Sequence, residues 1–174
     1  MEKKNPDSSQ AVRSASQEHE IRVAKAHELR SKGIEPWPEG KDVANVAQDI
    51  IDGYSEGTEE KFSIAGRIMA KRGHGKSIFA VMKDRSGAVQ IYFKKDVLGD
   101  ELFEIADHYA DIGDFMWVRG TPFKTKMGEI TLRVEECEIA GKCLHPLPEK
   151  FHGIADVEIK YRQRYLDLII SEES

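Results

Sequence analysis

The sequence predicts a mainly β domain: a five-stranded barrel of βββαββ order with an N-terminal α-helical extension. Three observations predict it. Three β-rich runs, FSIAGRIMA, SIFAVMKD and GAVQIYF, follow one another from Phe62, with the tight-turn residues DRSG at 84–87 between the second and third. Leu98, Leu102, Ile105 and Tyr109 then recur at helical spacing. Two further strands complete the order: FMWVRGTPF, and EITLRVEE, where Ile130, Leu132 and Val134 alternate with Glu129, Thr131, Arg133 and Glu135.

Taken in chain order, residues 1–15 are rich in Ser, Asn, Asp, Gln and Lys and read as a disordered tail. A helix follows near 16–32, with Ser14 and Gln17 as a capping box, Glu18–Arg22 and Glu28–Lys32 as i,i+4 ion pairs, and Gly33 as its stop. Its apolar stripe of Ile21, Ala24 and Leu29 is thin. Residues 34–60 hold Pro36, Pro38, Gly40, Gly53 and Gly57 and read as loop with one short helix near 43–51. The barrel occupies 61–145, and residues 146–174 trail as a connector. Three strands, a helix and two strands is the element order of the OB-fold.

The hairpin at DRSG fixes a register. With Arg85 and Ser86 at the centre of the turn, opposed residue numbers sum to 171, so Val81 faces Gln90, Phe79 faces Tyr92 and Met82 faces Val89. Ile78, Ala80, Met82, Val89, Ile91 and Phe93 then point inside, while Phe79, Val81, Lys83, Ala88, Gln90 and Tyr92 point outside. An outer face carrying Phe, Tyr, Gln and Lys suits a platform where bases stack and polar groups read their edges. The alternative is that another segment, such as the N-terminal helix, covers these aromatics.

Composition bounds the rest. The chain of 174 residues is long enough for one domain with tails. No run approaches the roughly 20 apolar residues of a membrane helix, and MEKKNPDSSQ is no secretory signal, so the expected compartment is the cytoplasm, without membrane association. The net charge of −5 hides a basic window: residues 61–95 carry nine Lys and Arg against Asp84 alone, between acidic flanks. Local field, not total charge, attracts a polyanion.

Other motifs carry no chemistry. GHGKS at 73–77 fails as a phosphate loop, because the required upstream glycine is Ala70 and a strand follows instead of a helix. As a loop between strands, KRGHGKS instead sets Lys71, Arg72 and Lys76 beside the outer face. Cys137 and Cys143 with six scattered histidines give no zinc spacing, so no metal ligands are expected. No nucleophile–base arrangement is visible, and no catalytic residue is assigned.

AGRIMAKRGHGKSIFAVMKDRSGAVQIYF, residues 65–93, resembles the anticodon-binding OB-fold of class II aminoacyl-tRNA synthetases of the lysine, aspartate and asparagine group. LHPLPEKFHGIADVEIKYRQRYLDLI, residues 144–169, is more discriminating: PLPEKFHG followed by YRQRYLDLI resembles lysyl-tRNA synthetase, in its bacterial form. The resemblance implies an N-terminal anticodon-binding region whose catalytic domain would begin after RYLDLI. The chain alone is then not expected to be an enzyme and needs no cofactor, whereas the parent would attach lysine to tRNA(Lys) with ATP and Mg2+, as a homodimer.

The resemblance also implies roles on the anticodon stem-loop. Arg72 matches an arginine that contacts the anticodon, Phe79 the aromatic that stacks on the central uridine, Gln90 the residue that bonds that base, and Glu129 a nearby carboxylate. Arg67, Lys71, Lys76 and Tyr92 are additional candidate contacts. The N-terminal helix is implied to pack beside the barrel and touch the tRNA. The competing expectation is an OB-fold interaction domain that binds protein, or single-stranded nucleic acid without anticodon selectivity.

Overall fold

The computed structural model describes residues 14–148 and 162–170. Five strands close a barrel: β1 (Phe62–His74), β2 (Ser77–Asp84), β3 (Gly87–Lys94), β4 (Phe115–Lys124) and β5 (Ile130–Gly141). The order around the barrel is β1-β2-β3-β5-β4, with β4 paired back to β1. Only β3–β5 is parallel; every other pair is antiparallel. This is the OB-fold expected from the element order.

The hairpin arithmetic holds along its whole length, from Ser77–Lys94 to Asp84–Gly87. Ile78, Ala80, Met82, Val89, Ile91 and Phe93 are all buried, and they meet Ile64 and Ile68 of β1, Met116 and Val118 of β4, and Leu132 and Val134 of β5 in one core. Each large side chain in it contributes about 1.5–3 kcal/mol by leaving water. Closure needs two close approaches. A Cβ on Gly66 would sit 2.7 Å from the Lys83 carbonyl oxygen, and one on Gly120 only 1.9 Å from the Arg133 carbonyl oxygen. Gly120 lies where the β4–β5 register shifts by one residue, so the strand bends there.

Helix α3 (Lys95–Glu104) and a π-helical turn (Ile105–Tyr109) link β3 to β4. They bury Leu98, Phe103, Ile105, Ala106 and Tyr109 against the barrel. Leu102 is only partly buried, and Gly99, at φ 78°, interrupts the helix that the sequence pattern assumed to be continuous. Cys137 faces this region, and burial pushes its thiol up to about 12.

Helix α1 (Ala15–Ser31) starts at the expected capping box: the Gln17 amide N–H donates to Ser14 Oγ at 3.2 Å, and the Ser14 N–H to Gln17 Oε1 at 3.0 Å. Ala15 thus lies in a helix, inside the segment expected as a tail; residues 1–13 lie outside the described residues. The docking face also differs from expectation. Ala24 is exposed, and the buried residues are Arg22, Ala26 and Leu29. Arg22 is held by the carbonyls of Ile112 and Cys143, each at 2.9 Å, and by Glu18 at 3.2 Å. A thin apolar stripe suffices because this helix docks through hydrogen bonds. The expected Glu28–Lys32 pair gives way to tertiary partners: Lys32 Nζ bonds Glu104 at 2.8 Å, and Glu28 faces His108 at 3.7 Å.

Helix α2 (Ala47–Asp52) is shorter and later than expected from the loop region. Its first amide, Ala47 N–H, donates to Asp84 Oδ2 at 2.7 Å, tying it to the DRSG turn. In the trailing segment, Arg164–Ile170 is helical, whereas most of PLPEKFHG lies outside the described residues. No helix among the described residues is long and apolar enough to cross a membrane.

Candidate nucleic-acid interface

Strand pairing assembles the outer face into two rows. One runs Arg72–Phe79–Tyr92–Arg133 across β1, β2, β3 and β5. The next runs Ala70–Val81–Gln90–Thr131–Phe123 across all five strands. Alternation along each strand puts both rows on the side opposite the core.

The first row supplies aromatic surface. Phe79 stacks on Tyr92 with centroids 4.6 Å apart, and Tyr92 meets Phe123 at 5.9 Å. The Tyr92 hydroxyl lies 3.0 Å from Ser77 Oγ, which fixes the middle ring. The Arg133 guanidinium sits 5.7 Å from the Phe123 ring. The rings are half-buried and are not covered by α1, whose long-range hydrogen bonds run to Asp111, Ile112, Cys143 and Leu144. The second row supplies polar groups: Gln90 Oε1 accepts from the Thr131 hydroxyl at 2.8 Å.

The candidate residues divide by strand geometry. Arg72, Phe79, Gln90 and Tyr92 converge on the two rows. Glu129 sits where the β4–β5 turn enters β5; its carbonyl accepts from the Thr125 N–H at 2.9 Å, and its side chain is exposed two residues before Thr131. Lys76 is exposed in the β1–β2 turn. Lys71 and Arg67 are engaged elsewhere. Lys71 pairs with inward-facing Ala80, so its side chain leaves the platform and donates to the carbonyls of Asp107 and Ala110, both at 2.7 Å. Burial draws that ammonium below the ordinary lysine pKa. Arg67 donates to the Gly113 carbonyl at 2.9 Å and lies over Phe115 at 4.3 Å.

Phe123 and Thr131 complete the face but are not among the sequence candidates. Thr131 meets Gln90 across the parallel β3–β5 pair, which no turn announces, and Phe123 across the longer β4–β5 hairpin. Fully exposed Met127 stands at the tip of the β4–β5 turn, flanked by Lys124 and Lys126.

Residues 62–140 match the OB-fold nucleic acid binding domain of the tRNA anticodon family. The chain is 46% identical over 153 residues to the lysine–tRNA ligase of Carboxydothermus hydrogenoformans, a match covering 88% of this chain and 31% of the relative. It is 47% identical over 161 residues to that of Thermotoga maritima, covering 89% and 32%, and 45% identical over 161 residues to that of Bacillus thuringiensis, covering 88% and 32%. The chain spans about a third of the length of the curated relatives it matches. Over most of its length the chain is similar to lysine–tRNA ligases, and its residues 62–140 match an OB-fold nucleic acid binding domain.

Proposed function

We propose that this chain is the anticodon-reading part of a lysine–tRNA ligase and binds the U-rich anticodon stem-loop of tRNA(Lys). The observation that carries the reading is the two-row outer face, where a stacking ring, Phe79, stands one row from a base-edge reader, Gln90, in a basic stretch of chain. Anticodon bases leave their own stack, one lies on the Phe79 ring, and Gln90 bonds its edge. Arg72, at the β1 end of the first row, holds phosphate or a neighbouring base, and Glu129 borders the same nucleotides. The whole ligase would join lysine to tRNA(Lys) with ATP and Mg2+, as a homodimer in the cytoplasm, through residues beyond this chain.

Titration of this chain with a UUU anticodon stem-loop, and with the same stem-loop changed at its central base, tests the reading at one fixed salt concentration. Tighter binding of the UUU form is expected. Equal binding of both would overturn anticodon selectivity and leave a general single-strand or protein-binding barrel.

A further inference from the structure

We infer that Thr131 is a positioning residue that decides which base Gln90 accepts. The inference rests on the anticodon reading above. Gln90 and Thr131 are register partners across the parallel β3–β5 pair, and the Thr131 side chain is fully buried. Its hydroxyl donates to Gln90 Oε1 at 2.8 Å; the Glu129 carbonyl oxygen lies farther off, at 3.4 Å. A hydroxyl has one proton to give, and the shorter contact takes it.

A carboxamide has an acceptor end and a donor end. With its oxygen held by Thr131, Gln90 keeps its NH2 for whatever lies on the outer face. Uracil offers carbonyl oxygens there and is a matched partner. Cytosine carries an exocyclic amino group where uracil carries O4, so donor would meet donor. A Gln90 free to rotate its amide by half a turn would serve either base. The buried hydroxyl removes that freedom, and selectivity at the reader is therefore set from beneath it.

The test compares wild type, Thr131→Val and Thr131→Ser by titration with two anticodon stem-loops that differ only in uracil or cytosine at the central position. Thr131→Val keeps the shape and removes the proton. It is expected to cut the uracil-over-cytosine preference by about tenfold, the worth of one base-edge hydrogen bond. Thr131→Ser keeps a hydroxyl and is expected to restore the preference; thermal unfolding of each variant checks the fold. Should the valine not pack, Thr131→Ala supplies the same readout. A hydroxyl-free variant with the wild-type preference, or one that loses affinity for both stem-loops by the same factor, overturns the role of Thr131 and leaves the anticodon reading standing. A wild-type chain without any preference overturns the anticodon reading itself, and this inference with it.

Discussion

The Phe79 ring lies on the Tyr92 ring with centroids 4.6 Å apart and planes inclined by 29°. Tyr92 is held in turn by Ser77 and by the Phe123 ring, so the outermost ring rests on a fixed support. A base that stacks on Phe79 meets a platform already in place and loses little entropy in ordering it. Phe79→Ala is expected to weaken binding of a UUU stem-loop by about 1–3 kcal/mol. Tyr92→Phe, which keeps the rings and drops one hydroxyl contact, should lose less. Titration at fixed salt compares them, and an unchanged Phe79→Ala affinity would remove the stacking role.

Lys71 and Arg72 are neighbours in sequence and opposites in structure. Arg72 pairs with Phe79 on the outer face, while Lys71 pairs with Ala80 and is spent on two carbonyls. Arg72→Ala is therefore expected to lower affinity and, if it meets one phosphate, to flatten the log–log salt slope by about 0.7. Lys71→Ala should leave that slope alone and lower stability by about 1–3 kcal/mol, through two orphaned carbonyls. Salt titrations and denaturant unfolding of both variants separate the roles.

What was legible in the sequence follows how local each contact is. The β2–β3 register could be computed, because a two-residue turn at Arg85–Ser86 leaves no freedom, and it placed Phe79, Gln90 and Tyr92 on one face. The parallel β3–β5 pairing is separated by a helix and a whole strand, so Thr131 was readable as an outward residue but not as the partner of Gln90. Lys71 fell within the basic loop as a candidate, yet the register shift between Ile68 and Ala70 decides which side of β1 each later residue takes. Helix α1 misled for a different reason. Apolar periodicity detects burial by hydrophobic side chains, and Arg22, the buried anchor, is charged.

Gly120 supplies a test of barrel closure. The atoms its Cβ would strike, the Arg133 carbonyl oxygen at 1.9 Å and carbon at 2.7 Å, are backbone and cannot swing aside. Gly120→Ala is expected to cost about 3 kcal/mol by forcing β4 and β5 apart at the bend. Chemical denaturation measures it. Wild-type stability in this variant would mean that the strands can separate there without penalty.

Just past the end of β5, the fully buried ammonium Lys142 Nζ meets Asp111 Oδ2 at 2.7 Å, the Tyr109 carbonyl at 2.7 Å, and Asp114. The two carboxylates respond oppositely to this site. Burial raises the Asp114 pKa, and Lys142 does not fully offset it. Burial also acts to raise Asp111, but Lys142, together with Lys25 at 2.6 Å, outweighs it and holds Asp111 below its ordinary value of 3.8. A depressed folded-state pKa contributes stability above the unfolded-state value and loses it as pH falls through the folded one. The raised Asp114 has the reverse sign: its protonation favours the folded state in acid. The acid loss at this cluster therefore belongs to Asp111. Asp111→Asn is expected to be less stable than wild type near neutrality by about 2 kcal/mol. The gap between the two should narrow as pH drops from about 4 toward 2, where the native carboxylate takes up its proton. Thermal unfolding of both proteins across that range measures the gap, and a constant difference would show that Asp111 keeps its charge without contributing to the acid limb.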